Sequence, residues 1–178
     1  MQTTVVEASG AQREVVANLF ELYLYEFSAL DGGQISAEGR FSDPSMLEPY
    51  WSDPQRRALL ICADGRPVGF ALIKRGSELA GDLEAMDLAE FFVLRPYRRA
   101  GVGAAAATAT WDRYPGRWLV RVQAHHTAAL AFWERVIGQY TGGHFVTDTV
   151  HQGDRDPPRD WVIYRFASRG AQSAAAGS

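Results

Sequence analysis

The chain has 178 residues, a formal net charge of −3 and 47% hydrophobic residues. These values are typical of one globular domain with a substantial core, and the slight acidity disfavours nucleic acid as a partner. No apolar run has membrane-spanning length, and no signal-peptide pattern is present. Cys62 is the only cysteine, so an internal disulfide is excluded. Together these features lead us to expect a cytoplasmic location.

The first half begins with a predicted strand at residues 3–7 and a predicted helix at residues 11–29. Ser9, followed three residues later by Gln12, is typical of a capping box at the start of a helix. Glu26 continues the apolar stripe of this helix, which indicates either a carboxylate that faces a cleft or a side chain that reaches water at a frayed end. Residues 31–53 are predicted as a loop with a short helix at 45–51.

The second half alternates strands and helices. Asp64-Gly65 is a hairpin signal between two apolar runs. Thr127 is a reasonable N-cap for a helix that ends near Ile137. The predicted strands cover residues 58–63, 67–74, 85–94, 118–123, 144–150 and 160–167. The two later helices cover residues 104–113 and 127–137. Residues 168–178 are expected to form a disordered tail.

The stretch EFFVLRPYRRAGVGAAAA, residues 90–107, joins an apolar strand to a helix through a basic, glycine-bearing turn. Glycines at 101 and 103 allow close approach to the backbone, and the start of a helix offers unpaired N–H groups. These features suit an anion such as a phosphate. From the chemistry alone, an ordinary solvated turn is an equally good interpretation.

Two motifs in this order resemble the GCN5-related N-acetyltransferase (GNAT) superfamily. Arg98-x-x-Gly101-x-Gly103, preceded by a strand that carries Val93, is similar to the family's coenzyme A pyrophosphate loop. The run from His126 to Trp133 is similar to a later family helix, usually written Asn-x-x-Ala-x-x-Phe-Tyr. The two motifs together cover roughly residues 86–138.

The resemblance implies an α/β fold with a mixed sheet, splayed at its centre and flanked by helices. The expected domain covers residues 1–167. The implied co-substrate is acetyl-CoA, whose pantetheine arm would pair with strand backbone and whose pyrophosphate would lie on the glycine turn. The residues that the resemblance assigns to this cofactor are Phe91, Phe92, Val93, Arg98, Arg99, Ala100, Gly101, Val102, Gly103, Ala104, His126 and Trp133.

Acetyl transfer to an amine needs a general base. Glu90, just before the cofactor strand segment, is the first choice and Asp87 the second, while pairing of Glu90 with an arginine is the structural alternative. The resemblance implies a tyrosine acid at the position of Trp133, and an indole cannot fill that role at neutral pH. Tyr140 and Tyr97 are substitutes that lie outside the family position.

The resemblance implies that Tyr23 and Trp51 lie on the acceptor side, although core packing is the alternative for each aromatic. Glu26 is expected on the same side because a carboxylate on the apolar stripe of the helix indicates a cleft. No metal is expected, because the adjacent histidines at 125 and 126 should point to opposite faces of an extended strand.

The sequence therefore predicts an N-acetyltransferase that acts on the amine of a small molecule, with no nucleic-acid or membrane partner. Two alternatives stay open: a catalytically weak module that senses CoA or another ligand, and a protein N-acetyltransferase. A homodimer is also left open.

Overall fold

A computed structural model of the chain describes residues 1–153 and 158–170. Within them, seven strands form one mixed sheet in the order β1-β2-β3-β4-β5-β7-β6. The strands are β1 (Thr3–Glu7), β2 (Arg56–Ala63), β3 (Arg66–Ser77), β4 (Asp82–Val93), β5 (Arg117–Gln123), β6 (Val146–Gln152) and β7 (Arg159–Ala167). The α-helices are α1 (Arg13–Asp31), α2 (Pro49–Ser52), α3 (Val102–Arg113) and α4 (Thr127–Thr141), and short 3-10 turns cover Gly10–Gln12, Pro44–Met46 and Arg95–Tyr97.

Local signals explain where several elements begin and end. Gln12 accepts a hydrogen bond from the Ser9 N–H at 3.0 Å, which is one half of the predicted capping box. Asp64 and Gly65 both have positive φ, at 48° and 78°, as a tight hairpin turn requires. The prediction that the later helix ends near Ile137 was wrong, because α4 continues to Thr141 and ends at Gly142, which has a φ of 66°.

Contacts divide the chain into two compact units, so the prediction of a single domain over residues 1–167 stays a prediction. The first unit comprises Met1–Ile73 and Glu90–Gly103, and the second comprises Lys74–Ala89 and Ala104–Ser178. Strands β3 and β4 each contribute residues to both units.

The core of the first unit lies between α1 and one face of its strands. Phe20, Tyr23, Phe70 and Phe92 contact one another there, with ring centroids 5.7–5.9 Å apart. Aliphatic side chains of α1 and β2 complete this core. Burial of so many large apolar side chains supplies the main driving force for α1 to pack on the sheet.

The second unit has an aromatic core around Trp111, which is fully buried. Its ring lies 4.9 Å from both Tyr140 and Phe166 and 6.2 Å from Trp133. Trp133 is thus a core residue of this unit.

The predicted tail begins later than expected. Ser168 is fully buried, and it exchanges two hydrogen bonds with the backbone of Gly116, each 2.9 Å long. Residues 171–178, the rest of the predicted tail, lie outside the described residues. Among the described residues, no helix is long and apolar enough to cross a membrane.

Gly69 permits a close approach of β3 to β4. A Cβ atom at this position would lie 2.1 Å from the carbonyl oxygen of Phe92 and 3.1 Å from the Cα atom of Val93. We expect Gly69→Ala to lower the free energy of unfolding by about 2–3 kcal/mol, because backbone atoms must move to accept the methyl group.

Gly10→Ala is the matched control, since a Cβ atom there meets nothing within 4 Å. Denaturant unfolding of both variants measures the difference. Equal stability of Gly69→Ala and Gly10→Ala would contradict the close approach.

Candidate active site

The turn between β4 and α3 has an unusual backbone. Arg99 has a φ of 63° and Gly101 a φ of 85°, and α3 begins at Val102. A left-handed conformation is rare for a residue such as arginine and marks a turn fixed by its surroundings. Alternating backbone conformations of this kind form concavities of N–H groups that hold anions.

Open space lies beside this turn. A Cβ atom at Gly101 would meet nothing within 4 Å. The N–H groups of the first turn of α3 have no partner within the helix and carry partial positive charge. Arg99, Ala100 and Gly101 precede that helix start, and Val102, Gly103 and Ala104 form it. The segment therefore has the backbone and charge to hold a phosphate.

The backbone of Val93, at the end of β4, points away from β3. The Leu94 N–H donates to the Val68 carbonyl at 2.9 Å, so the Val93 carbonyl, across the same trans peptide, points in the opposite direction. The Phe92 carbonyl lies against Gly69, so the Val93 N–H also points away from β3. Phe92 itself is buried in the core of the first unit.

The side chain of Arg98 is engaged within the protein. Its Nε donates to the Val93 carbonyl oxygen at 2.6 Å, and its Nη2 lies 2.8 Å from Oε2 of Glu26. The guanidinium also lies over the Phe92 ring, 5.4 Å from the centroid. Arg98 was expected to add donors for an anion, whereas here its donors hold the end of β4.

Glu26 binds two arginines. Its second oxygen, Oε1, accepts from Nε of Arg95 at 3.1 Å, and its side chain is only 21% exposed. Both carboxylate oxygens of Glu26 therefore bind the turn that follows β4.

Glu90 and Tyr23 form a hydrogen-bonded pair. The Tyr23 hydroxyl donates to Oε2 of Glu90, and the Tyr23 ring is buried among Phe20, Phe27 and Phe70. The partner of Glu90 in this bond is a phenol rather than the arginine considered as the structural alternative. A buried ring holds the hydroxyl in place, so the Glu90 carboxylate has a fixed orientation.

Asp87 has a structural role. It is fully buried, and both its oxygens accept from Nε of Arg121, at 3.1 and 2.9 Å, while Lys74 lies 3.9 Å away. Burial raises the pKa of Asp87, and the Arg121 charge acts against that rise. A buried carboxylate that shares one arginine N–H between its two oxygens is a poor second choice for a general base.

Trp51 lies near the start of α1. Its ring contacts the guanidinium of Arg13, 5.2 Å from the centroid, at the first residue of α1. Arg13 and Glu26 are about 20 Å apart along the helix, at 1.5 Å per residue. Trp51 therefore lies toward the start of α1 and Glu26 toward its end, while Tyr23 and Trp51 both contribute to the core of the first unit.

The two histidines lie in a turn after β5, with ring centroids 4.2 Å apart. The expectation that they point to opposite faces of a strand was wrong, because β5 ends at Gln123. His126 is buried and precedes the first residue of α4.

Tyr140, one of the substitute acids, is also committed to structure. Its hydroxyl donates to Asp112 at 2.7 Å and accepts from the Arg169 N–H at 3.1 Å. Burial, together with the Asp112 bond, raises the pKa of Tyr140 to about 12. Such a phenol does not give up its proton readily near neutral pH.

Glu21 anchors the loop that follows α1, a role that the sequence did not indicate. Its carboxylate accepts from the Phe41 N–H at 2.8 Å, the Ser42 N–H at 3.1 Å and the Ser42 hydroxyl, and Arg40 lies 3.3 Å away. Burial alone would raise the pKa of Glu21, but these hydrogen bonds and the Arg40 charge outweigh it, so the pKa lies below 4.5.

We expect Glu21→Gln to destabilise the fold by about 1–2 kcal/mol near neutral pH. A lowered pKa in the folded state means that the stabilisation is present above the unfolded pKa and is lost as the pH falls through the folded value. The difference from wild type should therefore shrink below about pH 4.5. Urea unfolding from pH 3 to 8 checks this, and a pH-independent difference would contradict it.

Comparison with known proteins identifies the family. The sequence profile of the Acetyltransferase (GNAT) family matches residues 18–139. The match spans more than half of the 178 residues, so the chain belongs to this family. Among curated proteins no sequence match was found.

Solved structures have the same fold at low identity. An acetyltransferase from Thermus thermophilus has a TM-score of 0.63 at 21% identity, covering 93% of this chain and 98% of its own. The ribosomal-protein-S18-alanine N-acetyltransferase from Escherichia coli has a TM-score of 0.60 at 16% identity, with 94% of each chain covered. The yncA protein from Salmonella typhimurium, solved with its cofactor acetyl-CoA, has a TM-score of 0.60 at 13% identity, again with 94% of each chain covered.

These findings confirm the predicted family and the mixed-sheet fold. They describe an acetyltransferase family as a whole and leave the acceptor to be identified.

Proposed function

We propose that this chain transfers an acetyl group from acetyl-CoA to the amine nitrogen of a small molecule. The observation that carries the proposal is the turn of residues 99–104, where left-handed Arg99 and Gly101 lead into the first turn of α3 beside open space. A turn of this kind binds an anion through backbone groups.

The donor would bind along the end of β4 and on this turn. The N–H groups of residues 99–104 would hold the pyrophosphate, and the outward-facing backbone of Val93 would pair with a pantetheine amide as an added strand does. Phe91 neighbours this backbone, and Phe92 fixes the strand by its burial. The family resemblance also assigns His126 and Trp133 to the cofactor, and Trp133 is buried in the aromatic core of the second unit.

Glu90 is the proposed general base, and Tyr23 positions it. The Glu90 carboxylate takes a proton from the amine, the nitrogen attacks the thioester carbonyl, and a C–N bond forms. The C–S bond then breaks, and CoA leaves as a thiolate that takes a proton from the solvent, to which Glu90 returns the proton it removed. The buried Tyr23 hydroxyl donates to one carboxylate oxygen and thereby orients the carboxylate.

The acceptor would enter beside the second half of α1, where Tyr23 lies. The loop anchored by Glu21 starts from the same helix and would form one wall of the entrance. We favour a small amine over a protein acceptor. We place the enzyme in the cytoplasm, because the only cysteine is buried and needs no oxidising compartment.

A second candidate function, a CoA-binding sensor with little catalysis, is favoured by one observation. Trp133 stands where the family has a tyrosine acid, and the substitute Tyr140 has a pKa of about 12.

An acetyl-transfer assay separates the two functions. The purified protein is incubated with acetyl-CoA and a panel of amines that includes amino acids, polyamines, aminoglycosides and short peptides, and mass spectrometry then detects acetylated products. We expect one class of small amine to gain an acetyl group. Tight acetyl-CoA binding without any acetylated product would favour the sensor, and acetylated peptides alone would favour a protein acceptor.

A further inference from the structure

The side chain of Glu26 connects α1 to the segment proposed to bind acetyl-CoA. Residues 26 and 98 are far apart in sequence, but Oε2 of Glu26 lies 2.8 Å from Nη2 of Arg98, and Glu26 is largely buried. Side-chain burial strengthens such a pair relative to a surface ion pair.

Arg98, which is bound by Glu26, also donates a hydrogen bond to the backbone of β4. Its Nε donates to the Val93 carbonyl at 2.6 Å. That carbonyl faces away from β3, which is the direction from which an added pantetheine strand would approach. The Arg98 side chain therefore already donates one hydrogen bond to the carbonyl of Val93, the last residue of the strand.

We propose that Glu26 is a positioning residue for acyl-CoA binding. It holds Arg98 on the Val93 carbonyl, and this bond fixes both the end of β4 and the start of the phosphate-binding turn. The inference rests on the proposed function, because it concerns the same donor site. In this proposal Glu26 belongs to the acetyl-CoA site rather than to the amine site. Arg98 acts as a clamp on β4 instead of binding a phosphate.

The geometry supports a clamp because the guanidinium is used on several sides. Glu26 holds one terminal nitrogen, Val93 accepts from Nε, and Phe92 lies beneath the plane at 5.4 Å. A phosphate ligand would need its terminal nitrogens directed outward.

Arg95 provides a matched control. It donates to the other oxygen of Glu26 at 3.1 Å, but its side chain is 73% exposed. Exposed ion pairs contribute little, so Arg95→Ala should leave the clamp in place.

The test is a double-mutant cycle read by calorimetric titration with acetyl-CoA. We expect Glu26→Gln and Arg98→Ala each to weaken binding about tenfold, the loss of one charge-assisted hydrogen bond. The double variant should lose no more than either single variant, since both break one connection. Arg95→Ala should bind within about twofold of wild type.

Thermal unfolding of each variant accompanies the titrations and identifies any that fail to fold. If Glu26→Gln proves unstable, Arg98→Lys, which keeps the charge and loses the fork of donors, takes its place and should show the same tenfold loss.

Tighter binding by Glu26→Gln would overturn the clamp, because it would show Arg98 released to a phosphate. Wild-type affinity in Glu26→Gln, or additive losses in the double variant, would also overturn it. A wild-type protein that binds no acetyl-CoA would overturn the proposed function together with this inference, and so differs from a failure of the clamp alone.

Discussion

Replacing Glu90 by Gln should reduce turnover by about a hundredfold or more, with little change in acetyl-CoA affinity. A glutamine keeps the size of the side chain and a hydrogen bond to Tyr23, but it cannot take a proton from the amine. General-base catalysis contributes on the order of 10²–10⁴ to a rate, so the loss should appear in kcat. Release of the CoA thiol, followed with the acceptor that the amine panel identifies, measures it.

Two variants calibrate this result. Glu84→Gln lies on the same strand, and its carboxylate is 76% exposed beside Arg75, so it should keep wild-type turnover. Tyr23→Phe removes only the hydroxyl that orients Glu90 and should lose less activity than Glu90→Gln. Unchanged turnover in Glu90→Gln would show that catalysis relies on positioning alone or on another base.

Replacing Gly101 by Val should weaken acetyl-CoA binding by about a hundredfold or more while the protein stays folded. A φ of 85° is strongly unfavourable for a β-branched residue, so the turn would have to change its backbone. The new side chain would also enter the open space beside the turn, where the anion is expected. Loss of several backbone N–H contacts to a charged group exceeds the cost of losing one side-chain bond.

Gly81→Val separates strain from binding. Gly81 also has a positive φ, at 64°, and open space around its Cβ direction, but it lies in the turn between β3 and β4. The two variants should lose similar stability, yet only Gly101→Val should lose acetyl-CoA affinity. Equal affinity in both variants would mean that the turn at 101 is only a connector.

Elements with strong local signals could be predicted from the sequence. The strand at Thr3–Glu7 and the strand–turn–helix around Gly101 followed from apolar runs and glycine positions. The end of α4 was predicted too early, near Ile137. The helix continues to Thr141, because the residue that stops it is Gly142, which adopts a left-handed conformation.

Partners that are distant in sequence could not be predicted. Tyr23 and Glu90 are 67 positions apart, and Glu26 and Arg95 are 69 apart. Helical spacing showed that Glu26 interrupts an apolar stripe, but the identity of its partner depends on how α1 packs against the end of β4. Glu21 gave no signal, because a carboxylate on an exposed helix face is ordinary until a loop closes over it.

The choice between candidate bases also required coordinates. Asp87 and Glu90 lie on one strand, three residues apart, and sequence alone ranked them only by position. Asp87 forms ion pairs with Arg121 and Lys74. Glu90 accepts a hydrogen bond from the Tyr23 hydroxyl. The two cations beside Asp87 come from other strands, so the sequence around Asp87 does not indicate them.

The central claim, that residues 99–104 bind the pyrophosphate of acetyl-CoA, is tested most directly by titrating the protein with two donors. Acetyl-CoA carries the pyrophosphate, and acetyl-pantetheine has the same thioester arm without phosphates. We predict that wild type binds acetyl-CoA at least about a hundredfold more tightly, and that Gly101→Val removes most of this difference while leaving acetyl-pantetheine affinity unchanged. Equal wild-type affinity for the two donors would contradict the account.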